Sequence, residues 1–395
     1  MSMNTEVTSN AQLFLEMMLK RLNLTLADWG GRWLRDHYRP VHGYLALVVC
    51  IFGSIANLIN IVVLTRKDML SPTNAILTGL AIADIMVTLE YIVFAYRHYI
   101  SSEKEMFSYS ATLYVLFHAH FTQIFHTIAI WMTVVLAVWR FLSIVHPHTV
   151  SRCCNMRRSL MYIAGAYLIS PIICIPSYFT FALRRLPAAD GTILYRIDIS
   201  AAGRAYGGLL NRANFWLYSV LIKLVPCLVL TYFSVRMIQV LLETKRRKQR
   251  LMSGCLTLSA DHHLLKGTRQ TDRTTWMLVA VLLLFLLTEF PQGILALLSG
   301  ILQDRFFRTC YLHVGELLDI LALTNSAVNF LVYCMMSKQF WAAFCGLLRL
   351  SDRAVPPPSR TRRSASRCAA HQQGDRRNVR LKLGRFRRPA AVCRP

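Results

Sequence analysis

Long runs of apolar residues, separated by short polar segments, dominate the middle of the chain. A helix needs about 20 residues to cross the hydrocarbon core of a bilayer, and seven runs reach that length. They cover residues 43–65, 73–97, 110–138, 158–182, 213–241, 274–300 and 311–336. The pattern therefore predicts an all-α membrane protein whose seven-helix transmembrane bundle occupies residues 42–336.

The two ends of the chain differ from this bundle. Residues 1–41 are polar and are expected to form an N-terminal segment outside the cell. Residues 337–350, SKQFWAAFCGLLRL, repeat large apolar side chains at helical spacing, which predicts an amphipathic helix on the inner leaflet. Residues 351–395 are rich in Pro, Arg and Ser and are predicted to be a disordered basic cytoplasmic tail.

The distribution of charge predicts which way the chain crosses the membrane. The formal net charge is +25, and basic residues concentrate in the tail and in the loop after the fifth run, which contains KRRKQR at 245–250. Positively charged segments stay on the cytoplasmic side, so an odd number of spans places the N-terminus outside a plasma-membrane protein. The glycosylation sequon at Asn23 agrees with this orientation. A basic segment below a membrane meets anionic lipid, so we expect lipid and not nucleic acid as its partner.

Polar residues inside apolar spans are candidates for function, because each is costly in hydrocarbon. The spans contain Asn57, Asp84, Asn325 and Asn329, and Arg140 lies at the inner end of the third span. Prolines at 226 and 291 interrupt the fifth and sixth spans. A buried polar group must be hydrogen-bonded whether or not it acts. Asp84 and the asparagines are therefore also compatible with a cluster that only stabilises the fold.

In their order and spacing, these residues resemble those of class A (rhodopsin-like) G-protein-coupled receptors, over about residues 42–348. The resemblance implies that Arg140 contacts a heterotrimeric G protein. It also implies a conformational switch, whose residues would be Asn57, Asp84, Asn325, Asn329, Tyr333 and Pro291.

Four longer segments resemble invertebrate myosuppressin/FMRFamide-type neuropeptide receptors. They are SPTNAILTGLAIADIMVTLEYI (71–92), FHAHFTQIFHTIAIW (117–131), AVWRF (137–141) and TEFPQGILALLSG (288–300). This resemblance implies a small amidated peptide ending in Arg-Phe-amide as ligand, with arrestin as a further candidate partner. It implies neither a cofactor nor an enzymatic activity.

Several positions depart from the class A pattern. Trp139 replaces the acidic residue before Arg140, and Glu289 replaces the tryptophan of the sixth span. Ala129 replaces a hydroxyl residue that helps to bind sodium, so sodium binding is in doubt. Val115 stands where a cysteine would bridge the third span to the second outer loop, and residues 183–212 contain no cysteine. That bridge therefore cannot form.

The candidate ligand-binding residues are four acids and one amide, Glu90, Glu289, Glu316, Asp319 and Gln123. A carboxylate accepts a guanidinium group through two hydrogen bonds, which suits a ligand with an arginine. Two roles are possible for the Glu289 side chain. It either binds a ligand cation from the outer cavity or, as a neutral acid, hydrogen-bonds inward to the Asp84 cluster.

Two cysteines allow limited predictions. Cys345, in the amphipathic segment, is a palmitoylation candidate or a plain buried thiol. Cys310 is the one cysteine placed outside the cell, so we expect it to be a free thiol.

Three rival functions remain. The chain could bind a different peptide, or signal without a ligand because Trp139 replaces an acid. A multi-span transporter would also place charges within its spans, but it would often show an internal repeat, and the sequence has none.

Overall fold

The computed structural model describes residues 37–101, 107–145, 154–187, 192–253, 284–285, 287–299, 301, 312–336 and 338–347. Within these ranges, six helices are long and apolar enough to cross a membrane. The predicted sixth span adds residues 287–299, which are also helical. The seven-helix bundle predicted from hydropathy is confirmed.

The helices lie close to the predicted runs. The first four spans begin with Arg39–Leu64, Pro72–Ala95, Tyr109–Val145 and Met156–Ile173. The fifth span comprises Ala201–Trp216, Leu217–Leu224 and Val225–Ser253, and the seventh is Leu312–Met336. A short helix, Ile175–Thr180, extends the fourth span, and a π-helical turn, Tyr96–Ile100, extends the second.

Local sequence explains where two of these helices begin. Ser71 accepts a hydrogen bond from the backbone N–H of Asn74, and Pro72 follows at the first helical position. Asn155 caps the fourth span in the same way by accepting from the N–H of Arg158. Such caps satisfy N–H groups that the helix itself leaves without partners.

Among the described helices, the fifth span is the least regular. It is broken at Ala205–Gly208, where Tyr206, Gly207 and Gly208 have positive φ angles of 52°, 64° and 77°. A π-helical segment follows over Leu217–Leu224, directly before Pro226. π turns and prolines are the usual places where helices bend.

The first, second and seventh spans share one part of the core. Ala46, Cys50, Tyr91 and Leu323 are buried there together. A Cβ added at Gly53 would lie 3.1 Å from the Cβ of Ala327, so a glycine allows the first span to approach the seventh. The opposite face of the first span exposes large apolar side chains, as a helix that faces lipid does.

A β-hairpin follows the fourth span, which the sequence did not predict. Strand β1 is Phe181–Pro187, and strand β2, Ile193–Ile199, pairs with it antiparallel. The hydropathy pattern places these residues at the end of the fourth span, 158–182, and in the second outer loop, 183–212. Each strand is only seven residues long, and charged residues interrupt its apolar residues, Arg184 and Arg185 in β1 and Arg196 and Asp198 in β2. Hydropathy windows of membrane-span length do not detect so short an element.

The hairpin is held against the start of the third span by hydrogen bonds. The N–H of Tyr195 donates to the carbonyl of Phe107 at 2.9 Å, and the hydroxyl of Thr112 donates to the carbonyl of Tyr195 at 3.1 Å. The rings of Tyr109 and Tyr195 meet edge to face. The residues predicted to lack a cysteine bridge are therefore joined by noncovalent contacts.

The predicted amphipathic segment is helical over Lys338–Leu347. Phe340 is fully buried against Val63, Leu64 and Met69, at the end of the bundle opposite the hairpin. Asn23, Cys310 and the tail at 351–395 lie outside the described residues. The glycosylation, free-thiol and disorder predictions made for them remain predictions.

Candidate functional site

Three ionisable side chains from three spans meet in the interior of the bundle. The Nζ atom of Lys223, in the fifth span, lies 2.6 Å from Oε2 of Glu289, in the sixth. His126, in the third span, places its Nε2 atom 3.2 Å from the same oxygen. The side chains of Lys223 and Glu289 are both 0% exposed. Glu289 therefore has a resident cation as its partner.

The local sequence of the sixth span explains this position. Its buried residues follow a helical repeat, since Glu289, Gln292, Gly293 and Ala296 face the interior while Leu287 faces outward. A Cβ added at Gly293 would lie 3.0 Å from the Cβ of Lys223. The absence of a side chain at Gly293 therefore allows the fifth span to approach closely enough for the ion pair.

The sequence reasoning did not identify Lys223 or His126 as partners of Glu289. Lys223 stands within the apolar run LYSVLIKLVPCLVL at 217–230. A lysine in such a run is a functional candidate with a carboxylate as its expected partner, so the signal was present. In the described residues, Glu289 bonds to Lys223 and His126 and does not reach the Asp84 cluster.

A second acid, Glu90, is paired in a separate cluster near the hairpin end of the bundle. His118 places its Nδ1 atom 2.5 Å from Oε2 of Glu90, and the hydroxyl of Tyr114 donates to Oε1 at 2.9 Å. The ring of Phe94 stacks on His118. The carboxylate of Glu90 therefore already has two donors.

The two acids of the seventh span differ in their partners. Glu316 lies 3.6 Å from Nε of Arg39 and accepts from the hydroxyl of Tyr99 at 3.4 Å. Asp319 has no hydrogen bond or ion pair with any residue that the structure describes. It is partly accessible and interacts electrostatically with His118, Glu316 and Lys223.

Tyr38, just before the first span, lies close to both seventh-span acids. Burial raises the pKa of its phenol to about 12, and the negative charges of Glu316 and Asp319 add to the effect. The hydroxyl of Tyr38 also bonds to Nδ1 of His42, whose Nε2 bonds to the hydroxyl of Tyr91. The phenol therefore remains protonated and does not supply a charge to Asp319.

Gln123, the fifth ligand-binding candidate, has a different hydrogen-bond partner from those of the four acids. Its side-chain oxygen accepts a hydrogen bond from the hydroxyl of Ser177 at 3.0 Å, which ties the third span to the extension of the fourth. The five candidates thus belong to several different groups of contacts and do not form one cluster.

Comparison with known proteins assigns this bundle to a family. The model of the family described as serpentine type 7TM GPCR chemoreceptor Srw matches residues 44–350. The chain belongs to this family of G-protein-coupled receptors. It is therefore a multi-pass membrane receptor and not an enzyme, as the sequence predicted.

Curated relatives of the receptor agree with this assignment. The G-protein coupled receptor dmsr-1 of Caenorhabditis elegans is 28% identical over 82% of this chain and 72% of its own. The Sex peptide receptor of Drosophila melanogaster is 27% identical over 78% of this chain and 72% of its own. The FMRFamide receptor of Drosophila melanogaster is 22% identical over 77% of this chain and 53% of its own.

The residues predicted to form the receptor's conformational switch are partly brought together. Asn329 donates to Oδ2 of Asp84 at 2.8 Å, and Asn57 donates to the carbonyl of Ser326 at 3.1 Å. These bonds join the first, second and seventh spans. Asn325 is half-buried one turn before Asn329 and makes no side-chain bond to this group in the described part of the chain. The side chain of Tyr333 is outside the described residues.

At the end opposite the hairpin, Trp139 occupies an apolar site next to Arg140. Trp139 is 4% exposed and meets the ring of Tyr162 edge to face, within a cluster that includes Ile76 and Met132. An acid at this position would be buried among apolar side chains. Arg140 is half-buried at the same end.

Proposed function

We propose that the chain is a plasma-membrane receptor for a small amidated peptide with a cationic side chain, of the myosuppressin/FMRFamide type. The hairpin end and the N-terminus face outward, because the basic loop after the fifth span and the basic tail belong on the cytoplasmic side. Peptide binding at the hairpin end is passed to a heterotrimeric G protein at the other end.

The observation that carries this proposal is the unequal pairing of the four candidate acids. Glu90, Glu289 and Glu316 each have a basic or hydroxyl partner within the bundle. Asp319 has none among the described residues, yet it is partly accessible. A charge that has lost part of its hydration and has no partner is unfavourable, so a cation that reaches Asp319 removes an existing penalty. Asp319 is accordingly the preferred anchor for the peptide's cation.

The relatives support a peptide as the ligand class. Two of those named above are called receptors for peptides, FMRFamide and sex peptide. The Arg-Phe-amide end implied by the sequence resemblance would supply the guanidinium group for Asp319. A carboxylate binds a guanidinium group through two charge-assisted hydrogen bonds.

A panel of amidated peptides, applied to cells that express the receptor, tests the ligand class first. With an agonist in hand, Asp319→Asn keeps the size of the side chain but removes its charge. We expect it to weaken the agonist by about 1.5–3 kcal/mol, the range for hydrogen bonds to charged groups. An analogue with citrulline in place of arginine should lose much less.

Asp68→Asn is the matched control, because Asp68 is a carboxylate at the end of the bundle opposite the hairpin that already pairs with Arg66. It should leave agonist affinity close to that of the wild type. If Asp319→Asn weakened the binding of the arginine and citrulline peptides equally, Asp319 would not be the anchor for the cation. The same combination of amide substitution and citrulline analogue then tests Glu90, Glu289 and Glu316. Gln123→Ala tests the neutral candidate.

We also propose that Arg140 contacts the G protein. Arg140→Ala should leave peptide affinity intact when no G protein is present and should abolish signalling from a receptor that reaches the surface. Wild-type signalling by this variant would contradict the role. Arrestin binding, glycosylation at Asn23 and palmitoylation at Cys345 are further parts of the proposal, each testable by a single substitution.

A further inference from the structure

We propose that the Lys223–Glu289 ion pair is a latch between the fifth and sixth spans, and that signalling requires the latch to open. Lys223 is then a positioning residue that acts through Glu289. The inference rests on the receptor function proposed above, which supplies the signal to be measured. Neither the sequence pattern nor the relatives assign a role to Lys223.

The pair lies at the most deformable points of both helices. Lys223 belongs to the π-helical segment Leu217–Leu224, and Pro226 follows three residues later. Glu289 precedes Pro291 by two residues, and a proline removes a backbone hydrogen bond and clashes with the preceding turn. A contact between two such points limits how far either helix bends, because each helix is locally weak there.

The pair is also shielded from every competitor in solution. Both side chains are 0% exposed, so neither water nor salt screens the attraction between them. Gly293 brings the two backbones close, since a Cβ there would lie 3.0 Å from that of Lys223. The latch therefore holds the helices at short range, with His126 as a further neighbour of Glu289.

The closed latch leaves hydrogen-bonding capacity unused. Lys223 and His126 both approach Oε2 of Glu289, and Oε1 is buried with no partner among the described residues. The side-chain oxygen of Gln292, three residues later on the same helix face, is also buried with no partner among the described residues. Buried acceptors are almost always hydrogen-bonded. A conformation of the helices that brings donors to these two oxygens would therefore compete with the conformation in which the latch is closed.

The latch is also within electrostatic range of the proposed ligand anchor. Lys223 interacts with the charge of Asp319 as well as with Glu289. A cation bound at Asp319 changes the potential at Lys223 and so biases the pair directly. This gives a physical route from the proposed peptide site to the contact between the fifth and sixth spans.

The test measures signalling in the absence of any agonist, with the full-length receptor in cells that carry sensors of G-protein dissociation. In one variant, Lys223→Met is combined with Glu289→Leu. This replaces the pair by apolar side chains, which buried sites tolerate well. In the other, Lys223→Glu is combined with Glu289→Lys, which restores an ion pair with the charges exchanged.

At equal surface density, the apolar variant should raise the basal signal by about fivefold or more, the lower end of typical coupling between sites. The exchanged variant should signal close to the wild-type level. Tyr167→Phe is the control, because it removes a hydrogen bond between the fourth and second spans and leaves the latch intact. Its basal signal should not change.

Wild-type basal signalling by the apolar variant, or equal signalling by the apolar and exchanged variants, would overturn the latch. If the apolar variant does not reach the surface, Glu289→Gln decides by the same measurement, because it keeps the size and weakens the pair. No agonist is used, so a wrong assignment of the peptide ligand leaves this result interpretable.

Discussion

Two ion pairs of the receptor have similar geometry and opposite surroundings. Lys223 and Glu289 are 2.6 Å apart in the interior, with both side chains 0% exposed. Arg184 and Asp198 are 2.9 Å apart in the hairpin, where the arginine is 53% exposed and the carboxylate 10%. The distances alone do not distinguish them.

The difference shows that solvent, and not distance, decides what an ion pair contributes. A buried charge loses its hydration and depends on its partner, so removing one partner is strongly destabilising. In the hairpin pair the arginine keeps much of its hydration, so water and salt screen the attraction and the pair contributes less. The interior pair therefore constrains the helices, while the hairpin pair acts mainly on local strand pairing.

The largest expected effect comes from removing one side of the interior pair. Lys223→Met leaves the carboxylate of Glu289 buried, with His126 as its one remaining hydrogen-bond partner among the described residues. We expect the free energy of unfolding to fall by about 3–5 kcal/mol. Adding Glu289→Leu should recover most of that loss. Thermal unfolding of the purified receptor in detergent measures both, and an unchanged melting temperature for Lys223→Met would contradict the comparison.

The next effect concerns how the two helices approach each other. Gly293→Ala adds a Cβ 3.0 Å from that of Lys223 and 3.2 Å from Cδ2 of Leu224. This overpacking should cost about 1–3 kcal/mol of unfolding free energy. Gly165→Ala is the control, since nothing lies within 4 Å of its new Cβ. Similar melting temperatures for the two variants would show that the helices can separate freely.

A smaller effect is expected where the hairpin joins the third span. Thr112→Val keeps the shape of the side chain and removes the hydroxyl, whose one proton is shared between the carbonyls of Tyr195 at 3.1 Å and Ser108 at 2.9 Å. We expect a loss of about 0.5–1.5 kcal/mol, the net value of one hydrogen bond. Faster hydrogen exchange of the Tyr195 amide, with unchanged exchange in the seventh span, would show a local effect. Faster exchange throughout the receptor would contradict a local role for this hydroxyl.

The smallest effect should depend on pH. The hydrogen bond from Arg184, with smaller contributions from the N–H of Ile199 and from Arg204, holds the pKa of Asp198 below its usual range. Because that pKa is lower in the folded hairpin than in the unfolded chain, its charge stabilises the hairpin above about pH 4. The stabilisation is lost as the pH falls through the native pKa.

Hydrogen exchange of residues 181–199 after incubation over a pH series checks this expectation. Below about pH 4 the wild type should open progressively more. Asp198→Asn should lack that dependence and lose less than about 1 kcal/mol at neutral pH, as surface pairs do. Identical pH profiles for the two proteins would mean that Asp198 does not stabilise the hairpin.

The parts of the fold that hydropathy decides were predictable. Each span needs a long apolar run, because no water is available to its backbone in hydrocarbon. The described helices overlap those runs, and the fifth extends well beyond both ends of its run at 213–241. The pairing of Asp84 with Asn329 also follows, since polar groups at the same depth of a bundle must find each other. Both features follow from sequence patterns that are long, as the apolar runs are, or strongly constrained, as polar residues within a span are.

The partners of Glu289 and the hairpin depend on weaker signals. The spacing of residues along a chain does not show which faces of the fifth and sixth spans meet, so Lys223 and Glu289 could be paired only in three dimensions. In the hairpin, Arg184 lies directly opposite Arg196, and like charges in that position are unfavourable. Asp198 lies beside both arginines and offsets their repulsion, which becomes visible only once the register is known.

The noncovalent attachment of the hairpin has a consequence for how the receptor can be produced. Joining Tyr195 to Phe107 and Thr112 needs neither an oxidant nor a disulfide isomerase. The hairpin can reach its position in a reducing environment and can detach and return without breaking a covalent bond. Synthesis in a cell-free reaction that contains a thiol reductant should therefore give a correctly assembled hairpin, where a bridged receptor would need oxidative folding.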